Sequence, residues 1–553
     1  MEKQIKKRAG KRKYWLVGGA VVLVIAVLLG VVAHYLDSWA AAKLKKQVST
    51  KSGGLYALQL GAVDISLLAG SAALDRLELT PDSAVWHQLQ KKNPAKAPAS
   101  ISRLKAERVT VQGISFVKLL MGGPLGVHTV ELQKPELWVR QMKKDTASKP
   151  LHQKLGPQFQ QMTIQEIKVS EGVFHLFSEK QPQNSLLSLQ DIELRAHGTR
   201  LDSTSYHDNA RAFYSEYVTF SAKGGTFNLP GGDYRVKGGT ISFSTQDRKA
   251  GLQNVCLIPL RSAAEMSSRA GEAVTRFRVQ VPEVRMRKLD FANLFRHSNL
   301  YMETLQVLKP TVQTFKDGKN FPTKGQGYLP HDLVQQLPFG LNVRTAEVKD
   351  LYVRYEELSE KAFRTGYVTG SDIDFTITNL TNDQDLISHK TPAILKAKGF
   401  IMGKALLQAT VRLPLLDPNG YHSIEGTIGR GNPAILNPVI EPSMFVRVKS
   451  GYVQRGAFRV ELNKTSAKGF LQLQYDDFKV DLLNKSPERK QSLGRKLKSV
   501  LADKLVLKSD SEQNGKAPRQ GSIQVQRRTE RSFLTYWKDC LANGVLSVIG
   551  APM

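Results

Sequence analysis

The residues able to do chemistry are scattered along this chain. Its eleven histidines form no His-Glu-x-x-His run and no pair at metal-ligand spacing. Two cysteines, Cys256 and Cys540, make neither a Cys-x-x-Cys pair nor a disulfide framework. Gly399–Lys404 (GFIMGK) approaches a phosphate-binding loop, but it is one residue short, and Ala405 stands where Ser or Thr would hold magnesium. Gly426–Gly431 (GTIGRG) has the wrong glycine spacing for a dinucleotide site, and no Gly-x-Ser-x-Gly elbow exists. Asp476 and Asp477 are adjacent in a strand-like run, so they point to opposite faces and read as solvated. Cys256, within Val255–Ile258, reads as a small core residue. The expectation is a protein that binds or carries, not an enzyme, with no cofactor and no metal.

Such a chain must work through its surfaces, so the elements that build them matter most. Its 553 residues suggest about three or four domain-sized units. Apolar residues at 41% and charged residues at 23% exclude wholesale disorder and a many-span transporter. The net charge of +30 is spread out: residues 1–13 hold seven Lys/Arg against Glu2, and 486–531 hold twelve against five acids.

Residues 14–36 contain no Asp, Glu, Lys or Arg, and these 23 residues would span roughly 34 Å as a helix against a bilayer core of about 30 Å. Trp15 and Tyr35 sit at its ends, where amphipathic rings favour the headgroup level. The basic residues before it place the amino terminus in the cytoplasm and export the rest. A cleaved signal peptide with a site near Ala40–Ala42 is the alternative, but the apolar run is long for one. Export removes nucleic acid as a partner.

From about 53 to 483 the chain reads as strands. Ile241 and Phe243 alternate with Ser242 and Ser244; Ile373, Phe375 and Ile377 alternate with Asp374 and Thr376. Leu406–Leu413, Phe470–Tyr475 and Phe478–Leu482 repeat the pattern, which gives a sheet one apolar and one polar face. Gly224-Gly225, Gly231-Gly232 and Gly238-Gly239 read as hairpin breaks. There is also an internal duplication. A shift of 175 residues superposes Val109 on Val284, Phe116 on Phe291, Leu132 on Val307 and Lys134-Pro135 on Lys309-Pro310, and a slightly larger one puts Asp191-Ile192 on Asp372-Ile373. Ser486-Pro487-Glu488 opens an amphipathic helix, a polar linker follows, and Arg531–Ile549 forms a second amphipathic helix.

The resulting division is a basic tail (1–13), a transmembrane helix (14–36), a linker (37–52), a first β module (53–258), a connecting loop (259–275) and a second β module (276–485). An amphipathic helix (486–508), a polar linker (509–530) and a terminal amphipathic helix (531–553) complete it.

The span followed by Val63–Leu68 and Leu74–Leu79, the units ending Val130–Pro135 and Leu305–Pro310, and the late run Gly469–Val480 together resemble the AsmA-like proteins of Gram-negative envelopes, relatives of AsmA and TamB. The resemblance covers most of 14–507 in pattern and implies a mainly β, elongated repeating β-groove, a curled antiparallel sheet, on one inner-membrane helix. It further implies a periplasmic body and a part in moving phospholipid between membranes and in outer-membrane integrity. An apolar gutter suits this, because an acyl chain prefers it to water by about 0.8 kcal/mol per CH₂. The candidate groove residues are Ile241, Phe243, Ile373, Phe375, Leu471, Leu473 and Val480. The candidate membrane contacts are Trp15 and Tyr35 in the span, with Phe533, Trp537, Leu541, Arg527, Arg528 and Arg531 at the carboxy terminus. There a basic amphipathic helix would meet the outer membrane or an envelope partner protein, or else cap the sheet. The alternative function is an anchored scaffold that binds proteins through sheet edges.

Overall fold

A computed structural model of the chain describes residues 39–66, 69–94, 97–114, 126–143, 150–154, 162–178, 181–483, 510 and 518–550. The expected span 14–36, with Trp15 and Tyr35, and the helix expected over 486–508 lie outside them. Among the described residues no helix is long and apolar enough to cross a membrane.

The chain is mainly β and divides into two compact units, residues 1–255 with 286–301 and residues 256–285 with 302–553. The first holds β1 (Tyr56–Gln59), β2 (Val63–Ser66), β3 (Ser71–Pro81), β4 (Ser100–Gln112), β5 (Gly126–Gln133), β6 (Glu136–Gln141), β7 (Thr163–Ser178), β8 (Gln181–Arg200), β9 (Tyr217–Asn228) and β10 (Tyr234–Ser244). Next along the chain come β11 (Lys249–Pro259), β12 (Thr275–Arg287) and β13 (Leu300–Leu308). The second unit continues with β14 (Thr311–Asp317), β15 (Leu341–Leu358), β16 (Gly366–Thr381), β17 (Ala393–Ile401), β18 (Ala405–Leu413), β19 (His422–Ile428), β20 (Val446–Leu462), β21 (Ser466–Leu482) and β22 (Arg519–Gln526).

The duplication is visible in the backbone. In the first copy Lys134 (φ 46°) kinks one long strand into β5 and β6, and its N–H donates to Ser170 O at 2.9 Å. In the second, Lys309 (φ 51°) does the same between β13 and β14 and donates to Lys349 O at 2.8 Å. The neighbouring strand carries a matching left-handed residue, Glu171 in β7 and Asp350 in β15. Each gives its N–H to a carboxylate on the next strand, Glu193 at 3.0 Å and Asp374 at 3.1 Å. Two unrelated strand pairs would not share a bulge with the same side-chain clasp.

Five expectations are corrected. The sheet is mixed, not antiparallel throughout, because β5 and β6 run parallel to β7, and β14 runs parallel to β15. In both copies a long connection returns the chain to the end of the sheet where the preceding strand began, and a parallel neighbour requires such a return. The 37–52 linker holds the helix Trp39–Lys51, rich in Ala and Lys. The 259–275 loop holds the helix Ala263–Ala270, opened by a capping box between Ser262 and Glu265. Within the 509–530 linker lies β22, paired antiparallel with β21. Gly231 and Gly232 do make the β9–β10 turn, whereas Gly225 and Gly238 face each other inside those strands.

The first unit buries Leu74, Leu104, Val130, Leu132 and Ile164, among others, on one face of β3–β7. That face closes under an aromatic cluster of Tyr206, Phe213, Tyr214 and Phe243 with Phe291 and Phe295 of the helix Phe291–His297. The second unit buries Val411, Leu413, Val460, Leu462, Leu471 and Ile523 against the terminal helix Phe533–Ile549.

Candidate functional site

The apolar face of β16–β22 can be built row by row from the register, since directly opposed residues share a face. One row runs Phe375, Ala397, Ala409, Gly426, Phe458, Leu471 and Gly521. Beside it run Ile377, Leu395, Val411, Ile424, Val460, Gly469 and Ile523. The rows between these, on the other face, are polar: Thr376, Lys396, Thr410, Glu425 and Arg459 make one of them. Large residues on the apolar face repeatedly oppose a glycine, as Phe458 opposes Gly426 and Leu473 opposes Gly456. A Cβ on Gly426 would lie 2.5 Å from the Phe458 ring, and one on Gly456 would lie 2.9 Å from Leu473. The glycines give these side chains room to lie flat across the neighbouring strand.

Burial along this face is graded. Val411, Leu413, Val460, Leu462, Leu471 and Ile523 are buried, between 0 and 5% exposed. Ile373, Phe375, Ile377, Leu395, Leu407, Ala409 and Ile428 are only half-buried. The difference runs along the strands: within β18 Val411 and Leu413 are buried in the cluster that includes the terminal helix, whereas Leu407 and Ala409 nearer its start are half-buried at that cluster's margin. The terminal helix reaches β22 by close approach, since a Cβ on Gly521 would sit 2.7 Å from the Gly544 carbonyl oxygen and the Val548 nitrogen. One part of the face is therefore a closed core and another part is half-covered.

The candidate groove residues separate accordingly. Ile373 and Phe375 lie on the half-covered part. Leu471 and Leu473 share its face but are sealed, and are corrected to core positions because the terminal helix and its neighbours cover them. Val480 is half-buried opposite Val448. In the first unit Ile241 is half-buried opposite Ala222. Phe243 is committed to the aromatic cluster, with ring centroids 5.1 Å from Phe220 and 5.4 Å from Phe291. Ile377, Leu395, Leu407, Ala409 and Ile428, which are not among the candidates, also belong to the half-covered part, at the margin of the buried cluster. Alternation alone marks each as apolar-facing; only register shows that they adjoin.

The carboxy-terminal membrane contacts are corrected too. Phe533, Trp537 and Leu541 pack on the core of the second unit, so the stripe covers the sheet instead of waiting for lipid. Trp537 Nε1–H donates to His422 Nε2 at 2.9 Å. Arg527 turns inward, giving Nη1–H to Lys464 O at 3.2 Å and Nη2–H to Gly327 O. Arg531 faces Asp539 at 3.9 Å, and Arg528 is exposed.

The polar groups buried under this cap do not form a reaction centre. His422 donates from Nδ1 to Gly420 O at 2.8 Å, which leaves Nε2 to accept from Trp537. His331 donates from Nε2 to Tyr421 O at 3.0 Å. Burial holds the imidazole of His422 down to about 4 and pushes His331 down as well, so both are neutral. Cys540 lies on the buried side of the terminal helix itself, where burial pushes its thiol up to about 12, far from a nucleophile's range. Met402 (φ 51°) and Gly403 (φ 65°) make the tight β17–β18 turn, so Gly399–Lys404 is a hairpin. Among the described residues no group of three or more His, Cys, Asp and Glu is placed to hold a metal. No protein-family model matches the chain, and no curated protein matches its sequence.

Proposed function

We propose that this chain is an AsmA-like envelope protein, anchored in the inner membrane by residues 14–36, whose periplasmic body carries phospholipid acyl chains on an apolar β surface toward the outer membrane. The observation that carries the reading is the half-covered apolar patch around Ile373, Phe375, Leu395, Leu407 and Ile428, in a sheet whose other face is polar. An apolar face left open to water is costly at roughly 25 cal/mol per Å², and lipid is one cover that can be exchanged. Carriage of this kind needs no covalent step.

Native mass spectrometry of the full chain, extracted from the membrane fraction in mild detergent, tests this. Bound species at phospholipid masses are expected, and they should diminish when Phe375 and Leu407 are both replaced by aspartate. A chain found in the soluble fraction, or one free of lipid under conditions that keep it folded, contradicts the proposal.

A further inference from the structure

The polar face of the second unit carries a concavity of its own, about 720 Å³, with Lys349, Lys396, Lys398, Thr410, Arg459 and Phe470 among the side chains around it. It is a trough between two rows of outward side chains. Lys396, Thr410, Glu425 and Arg459 stand in register along one wall, and Lys398, Gln408 and Thr427 along the other. It crosses the strands at right angles from β16 to β20, about 20 Å at a strand spacing near 4.8 Å. Its floor is the backbone of the intervening row, Phe375, Ala397, Ala409, Gly426 and Phe458.

The charge is uneven along it. At the β19–β20 end Glu425 opposes Arg459. At the β15–β17 end Lys349, Lys396 and Lys398 surround one acid, Asp374, which accepts from the Asp350 N–H and lies 3.5 Å from Lys398. Lys349 and Lys396 are exposed, and neither has an acidic partner within ion-pair distance among the described residues. The trough thus offers Lys396, Lys349 (which also acts on Asp374), threonine hydroxyls, a Gln408 amide and the half-buried Phe470 ring.

We infer that this trough binds an anionic saccharide chain. A single phosphate would leave most of the volume empty. An acidic peptide would recruit backbone groups at a sheet edge, whereas mid-sheet backbone is already paired. A nucleic acid would call for a run of aromatic platforms, and of the three phenylalanines at the trough Phe375 and Phe458 belong to the apolar row, which leaves the Phe470 ring on this face. Hydroxyl and amide groups suit sugar hydroxyls, an aromatic face suits a sugar ring, and paired lysines suit a carboxylate or phosphate substituent. The inference is independent of the proposed lipid surface, which lies on the opposite face.

The test is titration of the full-length protein, in detergent at low salt, with oligogalacturonate as a carboxylated saccharide, maltoheptaose as its neutral counterpart and polyglutamate as an acidic peptide. Oligogalacturonate should bind at least about tenfold more tightly than either of the others. The double reversal Lys349→Glu with Lys396→Glu should weaken it by about tenfold or more, while Lys237→Glu with Lys249→Glu, exposed lysines outside the trough, should change it less than about twofold. Equal binding of polyglutamate, equal loss in both double variants, or no binding of oligogalacturonate overturns the inference.

Discussion

Replacing Trp537 by alanine is expected to lower the stability of the second unit by about 3 kcal/mol and to loosen the terminal helix from its sheet. The indole is the hub of that contact. Its ring lies 5.1 Å from Phe533 and 5.8 Å from His422, centroid to centroid, and its N–H is the donor on which His422 Nε2 relies. Truncation removes apolar packing and also orphans a buried acceptor, and the two losses act together. Trp537→Phe keeps most of the packing and loses the hydrogen bond, so it should cost about 1–2 kcal/mol. Urea unfolding followed by far-ultraviolet circular dichroism gives both values. Limited proteolysis shows whether 518–550 becomes accessible first. Wild-type stability and protection in the alanine variant would mean that the helix does not depend on this contact.

The second large effect is a loss of stability in mild acid. Burial holds His422 at about 4, against about 6.5 for a free imidazole, so between these values the unfolded chain binds a proton that the folded one refuses. The stability His422 lends as a neutral acceptor is therefore complete above pH 6.5 and is lost as pH falls toward 4, by about 3 kcal/mol in all. The nearby Arg527 is positive and opposes protonation of His422, as would a proton on His331, whose ring is 5.5 Å away. His422→Gln should be less stable than wild type at pH 7.5 and much flatter between pH 6.5 and 4. Identical pH profiles for the two proteins would remove His422 from the account.

How much of this could be read from the sequence depended on how local the cause was. Period-two alternation at Asp372–Thr378 and Leu406–Leu413 marks strands, because each residue's face is decided by its immediate neighbours. The duplication is legible for a related reason: Lys134-Pro135 and Lys309-Pro310 carry the same kink in their own residues. β22 does not read as a strand because it needs only Gly521, Ile523 and Val525 inward, and its polar outward residues look like linker. The parallel β6–β7 and β14–β15 pairs are set by long connections, to which alternation is blind. The same holds for the candidate site. Ile373 and Phe375 were identifiable as apolar-facing, but Leu471 and Leu473 show the same pattern and are sealed. What separates them is a helix more than 50 residues away in sequence, docked through Gly521 and Gly544.

The central claim, that the half-covered apolar face carries lipid, is tested most directly by site-specific photo-crosslinking in cells. A photoreactive residue at Ile373, Phe375 or Leu407 faces that patch; one at Asp374, Thr376 or Gln408 is next to one of these in sequence and faces the other side. Neighbouring positions share strand and unit, so differences in expression and folding cancel. Phospholipid adducts should form at the first three positions and be near background at the second three, with Leu471, under the terminal helix, also near background. Equal capture on both faces, or protein adducts in place of lipid at Phe375, would contradict a lipid-carrying surface and favour a face that binds protein.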